Sequence, residues 1–225
     1  MNVCGFAILV VLCVLCMAWV YWRFIWFFRD PDRVVPSGNN VVSPADGEIV
    51  YVKRIKKGVV PISVKRGRKI SLKDDIKEKS YGDKYLIGVF MSPFSVHVNR
   101  APIAGKVDHV KHYNHNNLAM TIMWFRTLLN IRPFYKYSHH MWVNERNVVL
   151  IKGKFPVYVV QIADLAVNKV VCWVKKGSKV KKGQRFGMIK MGSQVDVVLP
   201  ANKVKVLVKE GDKVRAGESV LAKII

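Results

Sequence analysis

The chain has 225 residues, and its 38 Lys+Arg against 15 Asp+Glu leave a formal net charge of +23. That length holds one sizeable folded domain and a short extra segment rather than several domains, which commonly run to roughly 100–200 residues each. The cationic surplus suits nucleic acid or the anionic cytoplasmic leaflet of a membrane, while Cys172 is the lone cysteine outside the first apolar segment, which excludes a disulfide framework or a CxxC metal pair in the body.

Residues 3–22, VCGFAILVVLCVLCMAWVYW, carry no charge and match the roughly 20 apolar residues a helix needs to cross hydrocarbon. We read residues 1–28 as a transmembrane anchor. A cleaved secretory signal is the weaker reading, because the segment lacks a basic start and runs on into bulky WRFIWFF. Aromatic residues from Trp19 to Phe28, with Arg23, Arg29 and Arg33 beside them, place the following body on the cytoplasmic face by the positive-inside rule.

The punctuated segment FFRDPDRVVPSGNN leads into a domain expected over 33–225. GEIVYVKRI, YLIGVFM, VHVNRAP, NVVLIKG, FPVYVVQI, KVVCWVKK, VDVVLP and KVKVLVKEG are short β-branched runs bounded by glycine or proline, so the body is expected to be mainly β, in an α+β fold. VKKGSKVKKGQ at 174–184 returns as VKEGDKVRAGE at 208–218, with SPADGEIV, APIAGKV and LPANKVKV as a looser echo; these predict hammerhead-like β elements built of strand, glycine turn and strand. Residues 65–84 read as a solvated loop or hairpin tip. Residues 118–131, LAMTIMWFRTLLNI, are too short to span a bilayer: they are either a core helix or a flap resting on the membrane beside the site, with Arg126, Arg132 and Lys136 at headgroup level.

Within GMIKMGSQVDVVLP, Gly192-Ser193 stands between two β runs. A Gly-Ser turn is ordinary in itself, but glycine permits backbone geometry in which a serine hydroxyl can reach the preceding carbonyl. FFRDPDR, SPADG, MSPFSVHVNRAP, NERN and GSQVDVVLP, in this order and over nearly the whole chain, resemble the short-form phosphatidylserine decarboxylases. The resemblance implies that Ser193 attacks the Gly192 carbonyl to give an ester, and that elimination and hydrolysis then leave a β chain, 1–192, and an α chain, 193–225, headed by a covalent pyruvoyl group. That ketone would condense with the substrate amine and accept the electrons released with carbon dioxide, turning phosphatidylserine, or its archaeal ether-lipid counterpart archaetidylserine, into the ethanolamine lipid without a metal. The two cleaved chains would stay together as a heterodimer on an anionic membrane.

By the same resemblance Asp46 helps activate cleavage, although an Asp before Gly is otherwise a turn residue. His97 is the candidate proton carrier; the longer relatives have an aspartate and two histidines in this loop, whereas here stand Ser95, His97 and Arg100, so His139 or His140 is an alternative base. Arg100 and Asn99, or Asn144, Glu145 and Arg146, are candidates for the substrate's phosphate and carboxylate, with a simple Glu145–Arg146 ion pair the rival reading of NERN. His109, His112 and His115 in HVKHYNH read as a polar loop rather than a metal site. Two other functions compete: a biotinyl- or lipoyl-type carrier modified on Lys190, and a nucleic-acid binder that rests on charge alone.

Overall fold

The computed structural model describes residues 3–56, 61–65, 68–71, 82–114, 117–165, 170–190 and 192–225. Helix α1, Val3–Phe24, is followed by a 3-10 turn at Trp26–Phe28. It is long and apolar enough to cross a membrane, and every side chain from Phe6 to Val20 is exposed. The strands are β1 Asn40–Val42, β2 Gly47–Ile55, β3 Pro61–Lys65, β4 Arg68–Ser71, β5 Lys84–Met91, β6 Val98–Arg100 and β7 Gly105–Tyr113. Two helices, α2 at Thr121–Leu128 and α3 at His140–Val143, interrupt them. The chain then returns to β8 Arg146–Lys152, β9 Pro156–Ala163, β10 Val170–Cys172, β11 Lys179–Val180, β12 Arg185–Ile189, β13 Ser193–Pro200, β14 Val204–Val206, β15 Lys213–Val214 and β16 Val220–Ile224. The mainly β expectation is borne out.

The main sheet has the order β11-β7-β8-β9-β13-β5-β2-β15, with antiparallel pairing throughout. Its central strands are covered on both faces. Val195, Val197 and Leu199 of β13 join a core with Ile87, Val89 and Val159, while Val198 joins a second with Phe90, Val160, Met123 and Phe134, the last two from the α2 region. Burial on both faces explains why these strands read as continuous apolar runs rather than as alternation.

The repeated segments occupy the two opposite edges of this sheet. β11 pairs with the start of β7, Val180 against Gly105, and β15 with the start of β2, Val214 against Gly47. Gly177 and Gly211 share a left-handed backbone, φ +94° and +95°, as do Gly183 and Gly217, both at +77°. In both copies a short polar side chain closes the turn: Ser178 accepts from the Lys175 N–H and Asp212 from the Lys209 N–H.

Two local expectations change, and a third is met in part. The run HVKHY is the end of β7, not a loop, because its backbone pairs with Arg146 to Leu150 of β8. Glu145 and Arg146 do not pair with each other: neighbours along extended chain point to opposite faces, so Glu145 meets His112 at 3.2 Å while Arg146 is buried, donating to the Asn144 and Met141 carbonyls. Of the polar stretch 65–84, β4 closes a hairpin with β3, and residues 72–81 lie outside the described residues, as do His115 and residues 166–169.

Candidate active site at Gly192-Ser193

Ser193 opens β13, one of the two central strands of the sheet, and pairs with Met91 of β5 on one side and Ala163 of β9 on the other. Its side chain is fully buried, and Oγ donates to the Met91 sulfur at 3.2 Å. The same sulfur receives the Asn99 Nδ2 at 3.8 Å. Asn99 Oδ1 accepts from Gln161 Nε2 at 2.8 Å, and Gln161 Oε1 from Asn147 Nδ2 at 2.9 Å. These amides are buried, and a buried amide without a partner costs about 1–3 kcal/mol. The chain of amides therefore fixes the Met91 sulfur against the serine, and Asn99 holds the site's frame rather than facing open space.

Gly192 has φ +52°, a left-handed conformation that costs a residue with a Cβ roughly 1–2 kcal/mol. A Cβ at this position would also run into Oδ2 of Asp164. That carboxylate was not marked by any sequence motif; antiparallel pairing of Ser193 with Ala163 places it beside Gly192. Its Oδ1 accepts from the Met120 and Leu165 N–H groups at 2.8 and 2.6 Å. Burial raises its pKa, with those two hydrogen bonds opposing. On the opposite face of β13, Asp196 accepts from Tyr51 Oη at 2.7 Å and Gln194 Nε2 at 2.6 Å, and burial pushes its pKa up to about 6. His140 lies beside Gln194, with burial lowering it to about 4; His139 is exposed.

His97 is fully buried. Its Nδ1 lies 2.9 Å from the Ser95 carbonyl, which can only accept, so Nδ1 carries the proton and Nε2 is left as a bare lone pair. That Nε2 is buried without a hydrogen-bond partner. Burial lowers the imidazole to about 4, the Ser95 hydrogen bond opposing and Arg29 reinforcing, and the Phe27 ring stacks on it at 4.3 Å. Phe27 packs with Val96, Val98 and Met188, and Trp22 leans on the same cluster. The end of the apolar segment is thus packed against His97 and its neighbours.

Asp46 is held at both oxygens, Oδ2 by Arg33 at 2.8 Å and Oδ1 by the Ala216 N–H at 2.7 Å. It lines a cavity of about 480 Å³ together with Arg29, Phe90, Ser92, Ser95 and Lys213. Of the sequence candidates Asp46 alone lines this cavity, and His97 and Ser193 are buried outside its lining. His97 is bonded to the lining residue Ser95, and Ser193 to Met91, which joins the lining residues Phe90 and Ser92. Arg100 is directed elsewhere: it donates to Asp30 at 2.8 Å, Pro31 at 3.0 Å and Gly183 at 3.2 Å, tying the linker to the body. Lys190 is half-buried, its ammonium 5.8 Å from the Phe28 ring centroid. Among the described residues no group of three or more His, Cys, Asp or Glu is placed to hold a metal.

Residues 20–222 match the family model described as phosphatidylserine decarboxylase. The chain belongs to that family. It is 39% identical over 182 residues to a Methanocaldococcus jannaschii protein with the provisional name archaetidylserine decarboxylase proenzyme, covering 79% of each chain. A Methanothermobacter thermautotrophicus protein of the same provisional name is also 39% identical over 199 residues, 88% of this chain and 78% of the relative. The family match begins at residue 20, inside the end of α1, so Trp22, Phe27 and Arg29 lie within the matched stretch.

Proposed function

We propose that this decarboxylase cuts itself between Gly192 and Ser193 and then decarboxylates a serine-headed phospholipid, with α1 as its anchor and the body on the cytoplasmic face. The observation that carries the reading is the left-handed Gly192 joined to a fully buried Ser193 at the head of β13. Oγ attacks the Gly192 carbonyl carbon, the C–N bond breaks, and the new amine is left on Ser193. Loss of the Ser193 Cα proton expels the Gly192 carboxylate, and water then replaces the nitrogen, which leaves as ammonia. The neutral Nε2 of His97 is the base available for one of these protons, since a lone pair at pH 7 requires a pKa below 7. Asp46 steadies this region by holding Arg33 and Ala216, on either side of the cut.

The pyruvoyl group, once formed, supplies an electron sink for carbon–carbon cleavage. The surroundings of Ser193 fit it: a buried position one strand step from the cavity wall, with small Ala163 on one side. The family name favours phosphatidylserine, while the names of the two relatives favour archaetidylserine; the headgroup is common to both. Intact masses of native and Ser193→Ala chains, followed by carbon dioxide release from ester- and ether-tailed lipids, test the reading. Two native chains divided at 192/193, the shorter with a blocked start, are expected beside one uncut variant chain. An uncut native chain sinks the proposal, and added mass on Lys190 would favour the carrier.

A further inference from the structure

Resting on that reading, we propose that the 480 Å³ cavity is the headgroup site, and that Arg29, Lys213 and Arg215 bind the phosphate and carboxylate of a lipid that reaches it sideways from the membrane. The size lies within the roughly 300–1,000 Å³ of small-molecule sites. Three cations line it, from the end of the anchor segment and from the β15 edge, and Glu48 lines it as well. A serine headgroup carries two negative groups and one ammonium, which this set complements.

Arg29 is fixed before any ligand arrives. Nη1 donates to the Trp26 carbonyl at 3.0 Å, Nη2 donates to the Phe94 carbonyl, and the guanidinium lies 4.3 Å from the Trp26 ring centroid. Among the described residues it forms no ion pair with a carboxylate, whereas Arg33, Arg100 and Arg185 all do. Its remaining N–H groups are free for an oxyanion, which a planar guanidinium binds in a forked geometry. Asp46, the other carboxylate of the lining, is already taken by Arg33.

The surroundings give the direction of approach. Arg29 follows the last turn of an apolar helix by five residues, a position at headgroup depth when α1 spans the membrane. Thr127 of α2 lines the cavity as well. Its neighbours Ile122, Phe125, Leu128 and Leu129 are exposed by 50–65%, as is Phe94 at 62%. Exposed apolar side chains beside a basic cavity suit a membrane surface. The lipid tails would remain among these residues while the headgroup turns into the cavity.

The test is steady-state decarboxylation by full-length Arg29→Ala and by Lys213→Ala/Arg215→Ala, on vesicles of phosphatidylserine in phosphatidylcholine and on soluble glycerophosphoserine, with intact mass as the check on self-cleavage. Both variants should cleave themselves and lose about ten-fold or more in kcat/KM on both substrates, chiefly through KM; Arg29→Lys should recover part of the loss. If Arg29→Ala fails to cleave, the double variant carries the test, since it leaves the segment around His97 intact. Native KM values in cleaved variants would overturn the inference and leave the decarboxylase standing. A loss on vesicles alone would overturn it in favour of general attraction to the membrane, and a native enzyme inactive on both substrates and on vesicles of the ether-tailed serine lipid would overturn both readings.

Discussion

At the level of single residues, the position of Gly192-Ser193 between two strands was legible because its signal is local, a glycine and a serine flanked by β runs, while the cut proposed there came from the family resemblance and not from the dipeptide itself. Asp164 was not legible, because nothing adjacent in sequence marks it and only the register of β13 on β9 brings it to Gly192. Met91 and Gln161 escaped notice for the same reason: they read as ordinary strand residues until cross-strand pairing gathers them around Ser193. Asp164 and Gly192 make a paired prediction. Gly192→Ala should slow self-cleavage, through a left-handed backbone costing roughly 1–2 kcal/mol and through collision with the carboxylate. Gly192→Ala/Asp164→Gly removes the collision and keeps the backbone cost, so cleavage should return in part. Pulse-labelled chains followed by gel would show it, and a double variant as slow as the single one would mean that Asp164 is not what forbids a side chain there.

Among the elements, the strands could be read because β-branched runs between glycines and prolines have few other uses, while the edge run HVKHY looked like a loop because its outer residues are polar. The end of α1 shows a different failure. Its aromatic residues read as a membrane belt, and the structure also places Phe27, at 0% exposure, on the body against His97. Burying such a ring contributes about 1.5–3 kcal/mol and keeps water from the imidazole. Burial lowers His97 from 6.5 to about 4, so the neutral form is the one favoured by folding. Between those two values the unfolded chain takes up a proton that the folded chain refuses. This contribution is therefore intact above pH 6.5 and lost as pH falls towards 4. Phe27→Ala should let the folded pKa rise towards 6.5. Where neutral His97 is the base, self-cleavage at pH 5.5 should then slow by up to about ten-fold, with little change at pH 8. An acid limb that does not move in Phe27→Ala would separate His97 from the base, or Phe27 from its shielding.

For the whole molecule, the repeat in the sequence announced two similar pieces but not that they would close opposite edges of one sheet, since which strands lie between them is set by long-range pairing. That arrangement decides what the proposed cut does to the particle. The segment after Gly192 is not a tail: β13 is hydrogen-bonded along its length to β5 and over Ser193–Val198 to β9, β16 pairs with β1, and β15 pairs with β2. Val195, Val197, Leu199 and Leu221 from this segment sit in the same core as Val41, Ile49 and Val159 from the other, and Asp46 accepts from Ala216 across the divide. Breaking one backbone bond removes none of these contacts, and the new ends lie at the beginning of a strand rather than inside it. The cleaved protein should therefore run as one particle in mild detergent by size exclusion, separate into two bands only under denaturing conditions, and unfold in a single transition. Release of the shorter chain without denaturant would mean that the contacts across β13 do not hold the two pieces together once the bond is gone.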